Sequence, residues 1–82
     1  MKLDIITPEQ IFFSGEVESV TLPGLKGSFT MLNNHAPIIS ILSSGVLTYN
    51  TGKDELSVNI SGGVIEGHDN EVTVSVEALE NE

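Results

Sequence analysis

Two stretches late in the sequence, at positions 56–60 and 72–76, alternate strictly between apolar and polar residues. A period of two indicates a β-strand with one buried face and one face in water. No stretch repeats apolar residues at helical spacing over a useful length, although residues 77–80 resemble the start of a helix. The sequence therefore predicts an all-β fold.

Glycine, proline and asparagine divide the rest of the sequence into short extended segments. Turn residues at such close spacing are typical of β-sandwiches and small barrels. The chain has 82 residues, which is enough for one small domain. We predict a single flattened β-sandwich or barrel over residues 1–82, with about nine to ten short strands. The segments expected to be strands are 2–7, 11–13, 16–22, 27–32, 38–42, 46–50, 55–61, 63–66 and 71–77.

The most distinctive segment lies between residues 22 and 37 and contains two turn signals. Pro23 and Gly24 predict a tight turn, because proline presets one central φ angle and glycine accepts a positive φ at the next position. Pro37 marks the second turn, which also contains His35. The imidazole of His35 has two open roles, as a general base or as a hydrogen-bonding group that fixes this turn, and the sequence favours a structural or interface role over the catalytic one. A loop with this many special residues is typical of a contact surface.

Four places in the sequence break the alternation with adjacent apolar residues. Such residues indicate a strand whose two faces are both covered, by the domain itself or by another chain. A sandwich of this size buries one face of each sheet, so the surplus predicts a docking surface. The alternative is that loops and twisted edges fold over these side chains. The four places are Ile5-Ile6, Ile11-Phe12-Phe13, Ile38-Ile39 with Ile41-Leu42, and Val64-Ile65, of which Ile38-Ile39 and Val64-Ile65 are the strongest candidates.

The chain has three lysines, no arginine and twelve carboxylates, with a formal net charge of −9. Nucleic acids and anionic membrane surfaces require clustered basic residues, so both are poor partners. A basic protein partner and a merely solvated acidic surface both remain open. The lack of cysteine excludes disulfides and suits a reducing compartment. No apolar run approaches the roughly 20 residues of a membrane helix and no signal peptide is apparent, so we expect a cytosolic-side protein without membrane insertion.

Motifs of common active sites are missing from the sequence. Gly24 and Gly27 are too closely spaced to indicate a phosphate loop, and His68 lies in a polar turn where we expect it to be solvated. Two histidines without cysteine make a poor zinc site. The sequence therefore predicts no catalytic residue, no cofactor and no metal.

Six short pieces of the sequence, taken together in their order and spacing, resemble one known family. They are Ile6-Thr7-Pro8-Glu9, Phe13-Ser14-Gly15-Glu16-Val17-Glu18-Ser19-Val20, Leu22-Pro23-Gly24 with Gly27, His35-Ala36-Pro37, Gly45-Val46-Leu47 and Ser61-Gly62-Gly63-Val64-Ile65-Glu66. On these pieces, from Leu3 to about Val76, the chain resembles the N-terminal β-sandwich domain of the epsilon subunit of bacterial F-type ATP synthase. The resemblance implies a flattened barrel of about ten strands and a non-catalytic role in the rotating central stalk.

By this resemblance, the domain binds the gamma subunit on one side and the polar loops of the membrane c-ring on another. It would sit at the cytoplasmic face of the bacterial plasma membrane and couple ion-driven rotation to ATP synthesis in the F1 head. The implied gamma-facing residues are His35, Ala36, Pro37, Ile38, Ser61, Gly62, Gly63, Val64, Ile65 and Glu66. The implied c-ring-facing residues are Gly24, Leu25, Lys26, Gly27 and Ser28.

Three features depart from the family pattern. Many relatives have an acidic residue where Ser28 stands, facing basic ring loops. Asn33 and Asn34 replace a frequent Pro-Gly pair, although asparagine also tolerates a turn. Most relatives continue into a helical C-terminal domain, whereas this sequence ends at Glu82, so we expect no helical brake and no nucleotide site. The alternative function is a free-standing acidic β-sandwich that binds a protein through the same apolar residues.

Overall fold

The computed structural model describes residues 1–80, which form strands joined by short connections. The predicted all-β fold is confirmed. Segments 27–32 and 38–42 match two of the observed strands end to end. The strands of this part of the chain are β1 (Lys2–Ile6), β2 (Ile11–Glu16), β3 (Ser19–Gly24), β4 (Gly27–Leu32), β5 (Ile38–Leu42), β6 (Gly45–Asn50), β7 (Glu55–Ile60), β8 (Gly63–His68), β9 (Glu71–Val76) and β10 (Leu79–Glu80).

These strands belong to one hydrogen-bonded sheet in the order β10-β7-β6-β3-β5-β8-β9-β1-β2, and β4 pairs with β3. The pairing of β1 with β9 is parallel, whereas the other pairings are antiparallel. The sheet curls so that the ring centroids of Phe13 in β2 and Tyr49 in β6 lie 4.5 Å apart. The two ends of the sheet therefore face each other and enclose one core, as in a sandwich.

The core follows from the period of two in the sequence. In β9 Val72, Val74 and Val76 are buried, and in the neighbouring β1 Leu3 and Ile5 are completely buried. Among the described residues the buried set contains no polar or charged side chain. The inward face of the sheet is thus uniformly apolar, which leaves polar and surplus apolar residues on the outer face.

The tight turn after β3 lies later than the sequence predicts. Gly24 pairs with Gly27 across a loop made of Leu25 and Lys26, so Pro23 and Gly24 are still part of the strand. The positive φ of 128° belongs to Gly27. The prediction of a turn at Pro23-Gly24 is wrong because the Pro23 carbonyl accepts the backbone N–H of Ser43 at 2.8 Å, which keeps this end of β3 in the sheet.

Residues 77–80 do not begin a helix. Leu79 and Glu80 form β10, where Leu79 pairs with Ile60 of β7. The Ser61 backbone N–H and hydroxyl both donate to the carbonyl of Ala78, at 3.1 and 3.2 Å. Leu79 also packs against the core. These tertiary contacts outweigh the weak helical preference of so short a segment.

Candidate docking surfaces

A row of side chains crosses the outer face of five strands, and we call it the outer row. The register places Ile41 of β5 opposite Val64 of β8, and Val64 opposite Ser75 of β9. Ser75 is in turn opposite Ile6 of β1, which faces Ile11 of β2. Ile11 is 66%, Ile41 58% and Val64 43% exposed. At about 4.8 Å per strand, this largely apolar row extends for roughly 19 Å.

The outer row explains why the sequence breaks its alternation. In the pairs Ile5-Ile6, Ile41-Leu42 and Val64-Ile65, one member points into the core and its neighbour belongs to the row. In β2 the register shift opposite Ile5 and Ile6 aligns Ile11 with the row. The breaks at these strands therefore produce one continuous surface.

Two apolar side chains of the predicted gamma-facing set point inward. Ile65 is completely buried and Ile38 packs against the core. The exposed neighbour of Ile38 is Ile39, which is 75% exposed. At these two places only Ile39 and Val64 present apolar side chains to a partner, which narrows the prediction made from the sequence doublets.

Most of the remaining predicted gamma-facing residues lie at opposite ends of the β5–β8 pair, whereas exposed Glu66 lies within β8, opposite Ile39. The turn with His35 precedes β5, whereas Gly63 at the start of β8 pairs with Leu42 at the end of β5. An open groove of about 470 Å³ lies at this second end. The outer face of β5 and β8 joins the two ends. The groove is lined by Pro8, Ile41, Leu42, Ser61, Gly62, Gly63, Val64, Ser75, Val76 and Glu77.

His35 is built into the fold rather than presented as a free base. Its Nδ1 donates to the Ala36 carbonyl at 3.0 Å, since a carbonyl can only accept. Its Nε2 is buried without a hydrogen-bond partner among the described residues. The ring packs on Gly67, where an added Cβ would lie 2.8 Å from His35 Cε1. Of the two roles left open by the sequence, this geometry fits the one that fixes the turn.

The predicted c-ring-facing residues form the tip of the β3–β4 hairpin. Leu25 is 66% exposed, and Lys26 is also exposed. Between this tip and β5 lies an open groove of about 400 Å³, which we call the hairpin-tip groove. It is lined by Gly24, Leu25, Lys26, Gly27, Phe29, Ser40 and Ile41. Ile41 therefore borders both grooves.

The charges of this chain are unevenly distributed, a signal that the sequence analysis missed. Residues 19–53, which include β3 to β6, contain Lys26 and Lys53 and no carboxylate. All twelve carboxylates and Lys2 lie outside that segment. Lys26 has no carboxylate oxygen within 4.0 Å in the described part of the chain. The hairpin tip is thus locally positive on a protein whose net charge is −9.

The outer face of the other half of the sheet is covered by hydroxyl groups. Thr30, Thr21, Thr48 and Ser57 lie side by side across β4, β3, β6 and β7. The Thr21 and Thr30 hydroxyls are 2.8 Å apart, and those of Thr48 and Ser57 3.0 Å. Leu32 and Val46 are exposed apolar residues on this face. The two outer faces therefore differ in polarity.

Fold and surface together define a small all-β domain with a largely apolar row across one outer sheet face. The family model for the β-sandwich domain of the ATP synthase delta/epsilon chain matches residues 1–82. The chain belongs to this family, as its sequence motifs indicated.

The curated relatives of this chain are named ATP synthase epsilon chain. The one from Rhodopseudomonas palustris (strain BisA53) is 39% identical over 71 residues, covering 87% of this chain and 53% of the relative. The one from Leptospira borgpetersenii serovar Hardjo-bovis (strain JB197) is 39% identical over 74 residues, covering 90% and 58%. The chain thus spans a little over half the length of these relatives.

Two solved structures share the fold at low sequence identity. The cryo-EM structure of the Tetrahymena thermophila mitochondrial ATP synthase central stalk and c-ring contains a chain with a TM-score of 0.85 and 17% identity, covering 98% of this chain and 65% of that one. A chain of the Euglena gracilis mitochondrial ATP synthase OSCP/F1/c-ring structure has a TM-score of 0.89 and 20% identity, covering 95% of this chain and 51% of that one.

Within residues 1–80, no helix is long and apolar enough to cross a membrane.

Proposed function

We propose that this chain is a non-catalytic subunit of the ATP synthase central stalk, bound to the gamma subunit and to the polar loops of the c-ring. In that position it would help to transmit ion-driven rotation to ATP synthesis in the F1 head. It would work as a peripheral protein on the cytoplasmic side of a bacterial plasma membrane. Family membership and the names of the relatives support the placement in ATP synthase.

The observation that supports gamma binding best is the outer row. It aligns exposed Ile11, Ile41 and Val64 across five strands with half-buried Ile6 and with Ser75. A largely apolar surface of this kind is typical of a protein interface. The adjoining groove at Ser61 to Val64 adds a concave apolar feature next to Ile41. We assign the gamma subunit to this face, together with the turn at His35.

The hairpin tip is our candidate for the c-ring contact. It lies at the end of β5 where Leu42 pairs with Gly24. Ile41 borders both the groove at Ser61 to Val64 and the hairpin-tip groove, so the two candidate surfaces are neighbours. Binding of two partners on neighbouring surfaces would allow one small domain to connect the gamma subunit to the c-ring. The short, exposed loop of Leu25 and Lys26 suits contact with a second set of loops.

The gamma assignment is tested with matched charge insertions. Val64→Asp places a carboxylate in the outer row, whereas Val46→Asp places one on the hydroxyl-covered face at a residue 51% exposed. Affinity for purified gamma subunit of the same organism is measured by calorimetry. Burying an unpaired carboxylate costs more than about 2 kcal/mol, so Val64→Asp is expected to weaken binding at least about thirtyfold. Val46→Asp is expected to bind like the unmodified chain.

Circular dichroism and thermal melting check that both variants are folded. Equal affinity of the two variants would remove the outer row from the gamma interface. Failure of the unmodified chain to bind gamma at micromolar concentration would instead favour the alternative, a free-standing acidic interaction module.

A further inference from the structure

The hairpin-tip groove combines apolar walls with a single positive charge. Exposed Leu25 of the hairpin tip and exposed Ile41 of β5 both line it, together with half-buried Phe29. Lys26 lines the same groove, and no carboxylate of residues 1–79 lies within 4.0 Å of its ammonium group. A concave apolar site next to an unpaired charge is suited to recognition of a side chain of opposite charge.

The sequence around the hairpin tip also lacks carboxylates that could pair with Lys26. The carboxylates that precede and follow Lys26 most closely in the sequence are Glu18 and Asp54, at the far ends of the carboxylate-free segment. β5, on the other side of the groove, contributes only Ser40 and Ile41. Each strand that forms the groove lacks acidic residues, so a basic partner would meet only Lys26 and would be repelled by it.

We propose that the hairpin-tip groove binds a partner loop in which an apolar side chain stands next to a carboxylate. The apolar side chain enters between Leu25 and Ile41, and the carboxylate pairs with Lys26. This inference rests on the proposed function, because we take the loop to belong to the c-ring.

The test uses three variants of the full chain and detergent-solubilised c-ring of the same organism. Lys26→Glu reverses the charge at the groove, and Lys53→Glu makes the same change in the β6–β7 turn, outside the groove. Leu25→Ser removes the apolar wall and leaves the charge. Affinity for the ring is measured by biolayer interferometry at several salt concentrations, since screening weakens ion pairs between exposed groups.

Lys26→Glu is expected to weaken ring binding at least about tenfold at low salt, and the difference should shrink at high salt. Lys53→Glu is expected to change it less than about twofold. Leu25→Ser should weaken binding without changing its dependence on salt. A ring in which the loop carboxylate is replaced by lysine should bind Lys26→Glu better than the unmodified chain.

Stronger or unchanged binding of Lys26→Glu would overturn the inference, because the ring loop would then be basic or distant from Lys26. That result would leave ring binding itself intact. Failure of the unmodified chain to bind the ring would refute the ring contact of the proposed function, and the inference with it. Thermal melting checks that each variant is folded, which is expected since all three residues are exposed in turns or near them.

Discussion

Gly67 is the position at which a single methyl group should disturb the turn that contains His35. A Cβ added there would lie 2.8 Å from His35 Cε1 and 3.3 Å from Ile38 Cγ2 and Met31 Cε. Ordinary contacts of a Cβ begin near 3.4 Å, so the imidazole would have to move by about 0.6 Å. The ring cannot do so freely, because its Nδ1 is hydrogen-bonded to the Ala36 carbonyl at 3.0 Å.

We expect Gly67→Ala to lower the free energy of unfolding by about 2 kcal/mol, within the range for overpacked sites. His35→Ala should cost about 1.5 kcal/mol through lost packing and one lost hydrogen bond. In the double variant the methyl group enters the space that the imidazole leaves. The methyl group should then cost about 0.5 kcal/mol, which gives a coupling energy of about 1.5 kcal/mol.

Urea unfolding followed by circular dichroism measures all four forms of this cycle. For a domain of this size the slope m is about 1 kcal/mol per molar urea, so Gly67→Ala should lower the midpoint by about 2 M. Additive effects of the two substitutions, within about 0.5 kcal/mol, would contradict the reasoning. They would mean that Gly67 is required by something other than the His35 ring.

Two further predictions follow from the core. Gly63→Ala should destabilise the fold by about 3 kcal/mol or more in urea unfolding. The added Cβ would overlap the backbone carbonyl oxygen of Ser75, and shortening a neighbouring side chain cannot relieve that overlap. A measured cost below about 1 kcal/mol would contradict this contact. Burial raises the pKa of Tyr49 above its ordinary 10.0. Unfolding lowers that pKa again, so stability should fall as the pH rises through the tyrosine range. Tyr49 is the only tyrosine, so tyrosinate absorbance reports its titration directly, and Tyr49→Phe should abolish that pH dependence.

The sequence predicts the strands well because their alternation and turns are local properties. The doublets at Ile5-Ile6 and Val64-Ile65 correctly indicated apolar side chains on both faces of their strands. Which doublets align into one row depends on register, including the shift between β1 and β2 that leaves Phe12 unpaired and the pairing of β1 with β9. Register between distant strands leaves no local signature in a single sequence.

Turn placement at Pro23-Gly24 and the state of residues 77–80 were missed for a similar reason. The backbone N–H of Ser43 donates to the Pro23 carbonyl and keeps Pro23 in the sheet. The backbone N–H of Ser61 donates to the Ala78 carbonyl and keeps Ala78 next to the end of β7. Both bonds join residues far apart in the chain, so local preference could not reveal them. The absence of carboxylates from residues 19–53, in contrast, is visible in the sequence itself and could have been predicted to leave Lys26 unpaired.

The parallel pairing of β1 with β9 determines when this protein can finish folding. β1 lies between β2 and β9, and β9 is synthesised only after β2 to β8. Until then one edge of β1 has no partner, and closure of so long a loop is slow. A nascent chain stalled before residue 71 would therefore expose an unpaired strand edge, which is prone to pair with other chains.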